Sequence, residues 1–158
     1  MKNIENKLIE ILLEENSKED LIRKILDFNN LIKDDNKVYK VGDVGPAGGI
    51  VFMTHDDGTC VECWIEDEPN LMTWREARER VQTLNYGGSN DWVLPTIDEL
   101  NKMYGNKKII DNFQHNYYWS DTEYNKLSAW LHYFKFGDQK FSENFYYFRV
   151  RAIRRFKV

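Results

Sequence analysis

Between Tyr117 and Phe148 the chain places 13 of its 23 aromatic residues, and this stretch reads as strands and loops. The runs Tyr117 to Ser120, Ala129 to Phe136 and Phe145 to Ile153 are rich in aromatic and β-branched residues, the side chains that fit a pleated, half-buried surface. Gly137-Asp138 supplies a hairpin turn between the second and third. So many rings in one small region exceed what packing needs, so some of them are expected at the surface.

Upstream the period changes. Thr73 and Glu76 have capping-box spacing ahead of Trp74, Ala77, Val81 and Leu84, which recur at helical spacing until Asn85 and the Gly87-Gly88 turn. A second box, Thr96 with Glu99, follows Pro95 and opens a helix with Ile97, Leu100, Met103 and Tyr104 on its apolar side, ending at Gly105. Gly42, Gly45, Pro46, Gly48 and Gly49 mark turns leading into an apolar strand, Gly49 to Met53. Helices followed by a separate run of strands define an α+β fold. Residues 1–37 read as a helical extension of two short helices, on the stripes Ile4, Leu8, Ile11, Leu12 and Leu21, Ile22, Ile25, Leu26, Ile32. Residues 38–158 form the domain proper, with the boundary near Lys37.

The net charge of -4 supplies no overall positive field for phosphates, so no nucleic acid partner is expected. No segment approaches the roughly 20 apolar residues of a membrane span, and the amino terminus lacks the apolar core and cleavage site of a signal peptide. The chain as written is expected to be cytoplasmic, with a phage particle or cell surface reached by another route. With only Cys60 and Cys63, there is no disulfide framework, and the fold must stand on its core.

A set of short motifs runs through the domain: Tyr39-Lys40-Val41-Gly42-Asp43, Gly45-Pro46-Ala47-Gly48-Gly49-Ile50-Val51-Phe52, Met72-Thr73-Trp74, Asp91-Trp92-Val93-Leu94-Pro95-Thr96-Ile97-Asp98-Glu99-Leu100, Tyr118-Trp119-Ser120 and Arg149-Val150-Arg151-Ala152-Ile153-Arg154. In order and spacing they resemble the C-terminal domain family of the legionella collagen-like adhesin. The resemblance implies a C-type-lectin-like fold: two helices beside a small, mostly antiparallel sheet, its amino- and carboxy-terminal strands paired, with a ligand surface on the later strands and loops. It also implies binding of sulfated polysaccharides. Similar folds carry the variable ligand surfaces of diversity-generating retroelements, whose exposed Tyr, Asn, Asp and Phe match the composition of residues 117–148. The family often has a second Ser after Tyr-Trp-Ser, where this chain has Asp121.

Reactive constellations are sparse. Cys60-Val61-Glu62-Cys63 has the spacing of half a zinc site, with His55, His115, His132 and nearby carboxylates as further ligands, but the set is incomplete and two reduced surface thiols in a polar loop are expected instead. Glu68-Pro69-Asn70 with Asn90-Asp91 is similar to the calcium-dependent sugar site of lectins, yet it precedes the Thr73 helix and reads as a turn. Ser120, Asp121 and His132 lack an oxyanion hole and a nucleophile elbow. The expectation is a protein that is not an enzyme, with no catalytic residues, metal or cofactor.

Alternation in Ala129 to Phe136 sends Trp130, His132 and Phe134 to one face, which the resemblance makes the core face, and Leu131, Tyr133 and Lys135 to the other. Leu131, Tyr133 and Lys135, joined by Phe136, Asp138, Gln139, Tyr124, Asn125, Phe145 and Tyr146, form the predicted ligand-binding surface. Aromatic area with adaptable amides suits a protein or glycan ligand. Arg149, Arg151, Arg154, Arg155 and Lys157 make the tail basic, as a solvated strand face or an attraction for anions. The amino-terminal helices offer a route to a homo-oligomer. An alternative is a structural or assembly subunit using the aromatic surface as a permanent interface.

Overall fold

A computed structural model describes residues 37–158, of which Val38–Val158 form one compact unit. The expected helices before Lys37 lie outside the described residues.

The first strand, β1 (Ile50–Thr54), turns through Asp57-Gly58 into β2 (Thr59–Cys63), and the two pair antiparallel. Asp57 closes the turn by accepting from the Thr59 amide and hydroxyl, at 2.9 and 3.0 Å. The carboxy-terminal strand β6 (Ile153–Lys157) pairs with the other edge of β2, giving a sheet ordered β1-β2-β6. The expected pairing of first and last strands is thus corrected: β2 lies between them.

Two capped helices follow. In α1 (Trp74–Val81) and α2 (Ile97–Gly105) both bonds of each capping box form, around Thr73 and Thr96. Helix α1 stops short of the predicted Asn85, but the turn beyond it still buries Leu84. A single turn, α3 (Lys107–Ile110), leads to the second sheet: β3 (Tyr117–Asn125), β4 (Ser128–Tyr133) and β5 (Asp138–Glu143), all antiparallel in that order. The architecture is therefore α+β, with two three-stranded sheets.

Two apolar clusters make the core. One gathers Trp74, Ala77, Val81, Trp92, Trp119 and Leu131; the other gathers Phe52, Val61, Leu100, Met103, Tyr118, Phe134 and Ile153. Neighbouring Tyr118 and Trp119 go to different clusters because alternate residues of a strand face opposite ways. Both faces of this part of β3 are covered, as its uninterrupted aromatic run requires.

The predicted strand Phe145 to Ile153 is mostly not one. Its backbone exchanges two bonds with Met72 and makes single bonds to Tyr117, Trp119, Glu68 and Trp64, and the segment links the two sheets before β6 begins. Strand β2 replaces the expected polar loop. Cys60 and Cys63 are both buried, which corrects their reading as surface thiols, and three residues apart on a strand they face opposite sides.

Buried charges tie the frame. Glu62 is fully buried and accepts from the amides of Ala47 and Gly49, at 3.3 and 3.0 Å, and from Arg154 at 3.0 Å. A Cβ on Gly45 would stand 2.3 Å from a Glu62 carboxylate oxygen, so the turn needs glycine there. Arg151 is also fully buried, and donates to Asp67 at 2.7 Å and to the carbonyls of Trp64 and Asn112 at 3.0 and 2.8 Å. Asp67 also accepts from the Tyr118 hydroxyl at 2.6 Å. Each buried charge has the partners that make burial tolerable.

Candidate functional site

Strand β4 is the axis of the candidate surface. It has β3 on one side and β5 on the other, so its own side chains are the least exposed of the sheet. Leu131, predicted on the ligand surface, is only 2 % exposed and packs with Trp119 and Ala129. That prediction is corrected: the face assigned to solvent is covered by the first core cluster. On the opposite face His132 and Phe134 are buried as expected, but Trp130, against Tyr124 and Phe141, remains half-buried.

The other nine predicted residues do not form one patch. They divide between the two ends of β4, which are about 17 Å apart for a strand of this length. At the β4–β5 turn stand Tyr133, Lys135, Phe136, Asp138 and Gln139. Tyr133 stacks on Tyr117 with ring centroids 4.3 Å apart and meets Phe136 edge-on, while the Lys135 ammonium lies over the Phe136 ring. At the β3–β4 turn stand Tyr124 and Asn125, with Phe145 and Tyr146 following β5.

This second end contains a groove of about 590 Å³. Thr73 and Arg75, at the start of α1, form one wall; Asn125, Leu127 and Ser128 at the turn, with Glu143, Asn144 and Phe145, form the rest. The Asn144 amide donates to the Leu127 carbonyl at 2.8 Å, and the Trp74 amide donates to the Asn144 carbonyl at 3.1 Å, so the backbone holds both walls. Asn125 accepts from the Leu127 amide, fixing the turn. Leu127 is 74 % exposed and Phe145 63 %, with Tyr146 and Tyr147 beside them also exposed. The Glu143 carboxylate has no ion pair or hydrogen bond among the described residues. A second, smaller hollow continues from Asn144 and Arg75 along α1 to Arg78, Glu79 and Gln82.

Sequence reasoning missed Leu127, Asn144 and the α1 wall. Leu127 had a signal: one large apolar residue at the tip of a polar turn. Thr73 and Arg75 had none, because their place depends on how α1 packs against the sheet. A third aromatic group was missed as well. Phe141 of β5 stacks on Tyr124 at 3.8 Å with planes 5° apart, and Trp130 meets both edge-on.

The residues weighed for chemistry are engaged elsewhere. The Ser120 hydroxyl donates to the Trp130 carbonyl at 2.8 Å, Asp121 pairs with Arg78 at 2.9 Å, and His132 faces Asn101 at 3.4 Å. Burial lowers the His132 pKa to about 4. Burial also pushes the Cys63 thiol up to about 12 and the Tyr86 phenol, beside Glu68, to about 12. Glu68 is buried and taken by Arg80 and Tyr86, and Asp91 by Arg154, so the lectin-like carboxylates serve the frame. Among the described residues no three His, Cys, Asp or Glu side chains come together as a metal site. The tail is a solvated strand face only in part: Arg151 and Arg154 pair with Asp67 and the buried Glu62, while Arg155, paired with Glu99, and Lys157 stay exposed.

The domain is a small α+β unit with a tied frame and an exposed aromatic rim. The chain matches the family model of the Lcl C-terminal domain over residues 52–154, and it belongs to that family. No curated protein matches it. The matched residues include the buried frame, from Phe52 through Trp92 and Trp119 to Arg151, as well as the groove. No described helix is long and apolar enough to cross a membrane.

Proposed function

We propose that residues 38–158 form a noncatalytic binding module of C-type-lectin-like fold, and that its ligand surface is the groove at the β3–β4 turn. The observation that carries this reading is the juxtaposition of a 590 Å³ groove with exposed Leu127 and Phe145. A concave site mixing apolar rim and a few polar groups is the usual setting for recognition. Membership of an adhesin-associated domain family supports binding as the role. The C-type-lectin-like reading is supported by the order of elements: a hairpin, two capped helices, a separate antiparallel sheet and a last strand returning to the first sheet. The engagement of Ser120, Asp121 and His132 with other partners supports the noncatalytic reading.

The ligand is a protein or glycan. Immobilised chain presented to a glycan array and to lysate of its source, beside Leu127→Ala/Phe145→Ala and Tyr133→Ala/Phe136→Ala variants, tests the placement. Loss of an exposed aromatic anchor costs about 2 kcal/mol, roughly 30-fold in affinity. Weakening by the first pair alone is expected. Weakening by the second pair alone moves the surface to the opposite end of β4, and a ligand chemically converted by the chain ends the noncatalytic reading.

A further inference from the structure

We propose that the outer edge of β5 pairs antiparallel with the same edge of a second copy of this chain, about a two-fold axis through Phe141. The inference does not rest on the groove.

Strand β5 is the last in its sheet, and its backbone orientation follows from bonds on the far side of the sheet. The Arg149 amide donates to the Tyr117 carbonyl, and the Trp119 amide donates to the Arg149 carbonyl, so Tyr117 and Trp119 turn away from β4. Tyr118 and its partner His132 then exchange bonds across β3 and β4, leaving Leu131 and Tyr133 to bond towards β5. Their partners are Lys140 and Asp138, so Gln139, Phe141 and Glu143 direct their amides and carbonyls outward. Among the described residues, only the Glu143 carbonyl of these outward groups has a backbone partner, the Tyr146 amide at 3.2 Å. An unpaired edge is a template for another strand.

Which strand fits is set by the side chains. Pairing must set outward residues opposite outward residues, and two symmetric registers keep five residues of β5 paired. One sets Lys140 directly opposite its own copy, which is repulsive. The other sets Phe141 opposite Phe141, Lys140 opposite Ser142, and Gln139 opposite Glu143. It juxtaposes no like charges. Phe141, 50 % exposed, already stacks on Tyr124, and the two-fold extends that stack from one copy into the next. The strand therefore suits its own copy in one register.

The mass of the full chain, measured by sedimentation over a rising concentration series, tests this together with variants. The parent is expected to approach twice its monomer mass. Phe141→Lys sets like charges on the axis, and Gln139→Pro removes an outward amide while leaving the β4 ladder intact; both are expected to stay monomeric where the parent associates. A Gln139→Cys/Glu143→Cys variant keeps Phe141, and its new thiols are too far apart to join within one chain. Mild oxidation is expected to join two copies of it, and to leave a Lys140→Cys variant unlinked. A parent that stays monomeric, association unchanged in folded Phe141→Lys and Gln139→Pro, or linkage at Lys140→Cys in place of the double variant overturns the proposal. If a disrupting variant fails to fold, the linkage result decides.

Discussion

His132 lies fully buried in the middle of the second sheet, with Nδ1 unpartnered among the described residues and Nε2 3.4 Å from Asn101. Burial holds its folded pKa near 4, below the ordinary value of 6.5. Between those values the unfolded chain binds more protons, so stability falls as pH drops below about 6.5, and the loss is complete below about 4. It amounts to at most about 3 kcal/mol. His132→Phe, packing the same space against Tyr104 and Phe134, is expected to remove this part of the acid dependence, read from urea unfolding at pH 7 and pH 4.5. Unchanged dependence in the variant sinks the assignment. The thiols give a second test. Cys60 and Cys63 are buried, and burial pushes the Cys63 thiol up to about 12, so both are expected to resist a thiol reagent until the chain unfolds. Arg151 is the third: Arg151→Ala strands Asp67 and is expected to cost about 3–5 kcal/mol, measured by chemical unfolding.

At the scale of elements, the helices were legible because their start signals are local. Thr73 with Glu76 and Thr96 with Glu99 form the bonds their spacing promised. Thr73→Ala is expected to cost about 1 kcal/mol. Glu99→Ala is expected to cost more than Glu76→Ala, because Glu99 also takes two bonds from Arg155; equal losses in thermal unfolding refute that. The strands were legible only where the apolar pattern shows. Strand β2 hid behind Glu62, whose partners Gly49 and Arg154 are remote in sequence. Strand β5 is almost wholly exposed and polar, and the basic residues of β6 read as surface until their carboxylates are in place. The site was half legible: Asn125, Phe145 and Tyr146 meet at the groove region, whereas Leu131 went wrong because alternation alone cannot tell which faces are covered.

At the scale of the molecule, the carboxy-terminal segment joins the parts. Ile153 exchanges two bonds with Val93, Arg151 reaches Asp67 and Asn112, and Arg155 reaches α2. A fragment cut at the limits of the family match, residues 52–154, loses Arg155, Phe156 and the turn that holds Glu62. It is expected to melt well below the fragment 38–158 in a calorimeter; equal melting temperatures contradict this account of what ties the sheets together.

The glycine turn wrapped on Glu62 has one more consequence. A Cβ on Gly87 would fall 1.8 Å from the Ala47 carbonyl, so this part of the frame tolerates almost no change. Leu127 and Phe145 are mostly exposed, and Phe145 packs on the likewise exposed Tyr146 ring. On the proposed groove reading, a library randomised at those two rim positions is expected to change what the domain binds while drawing little on its stability.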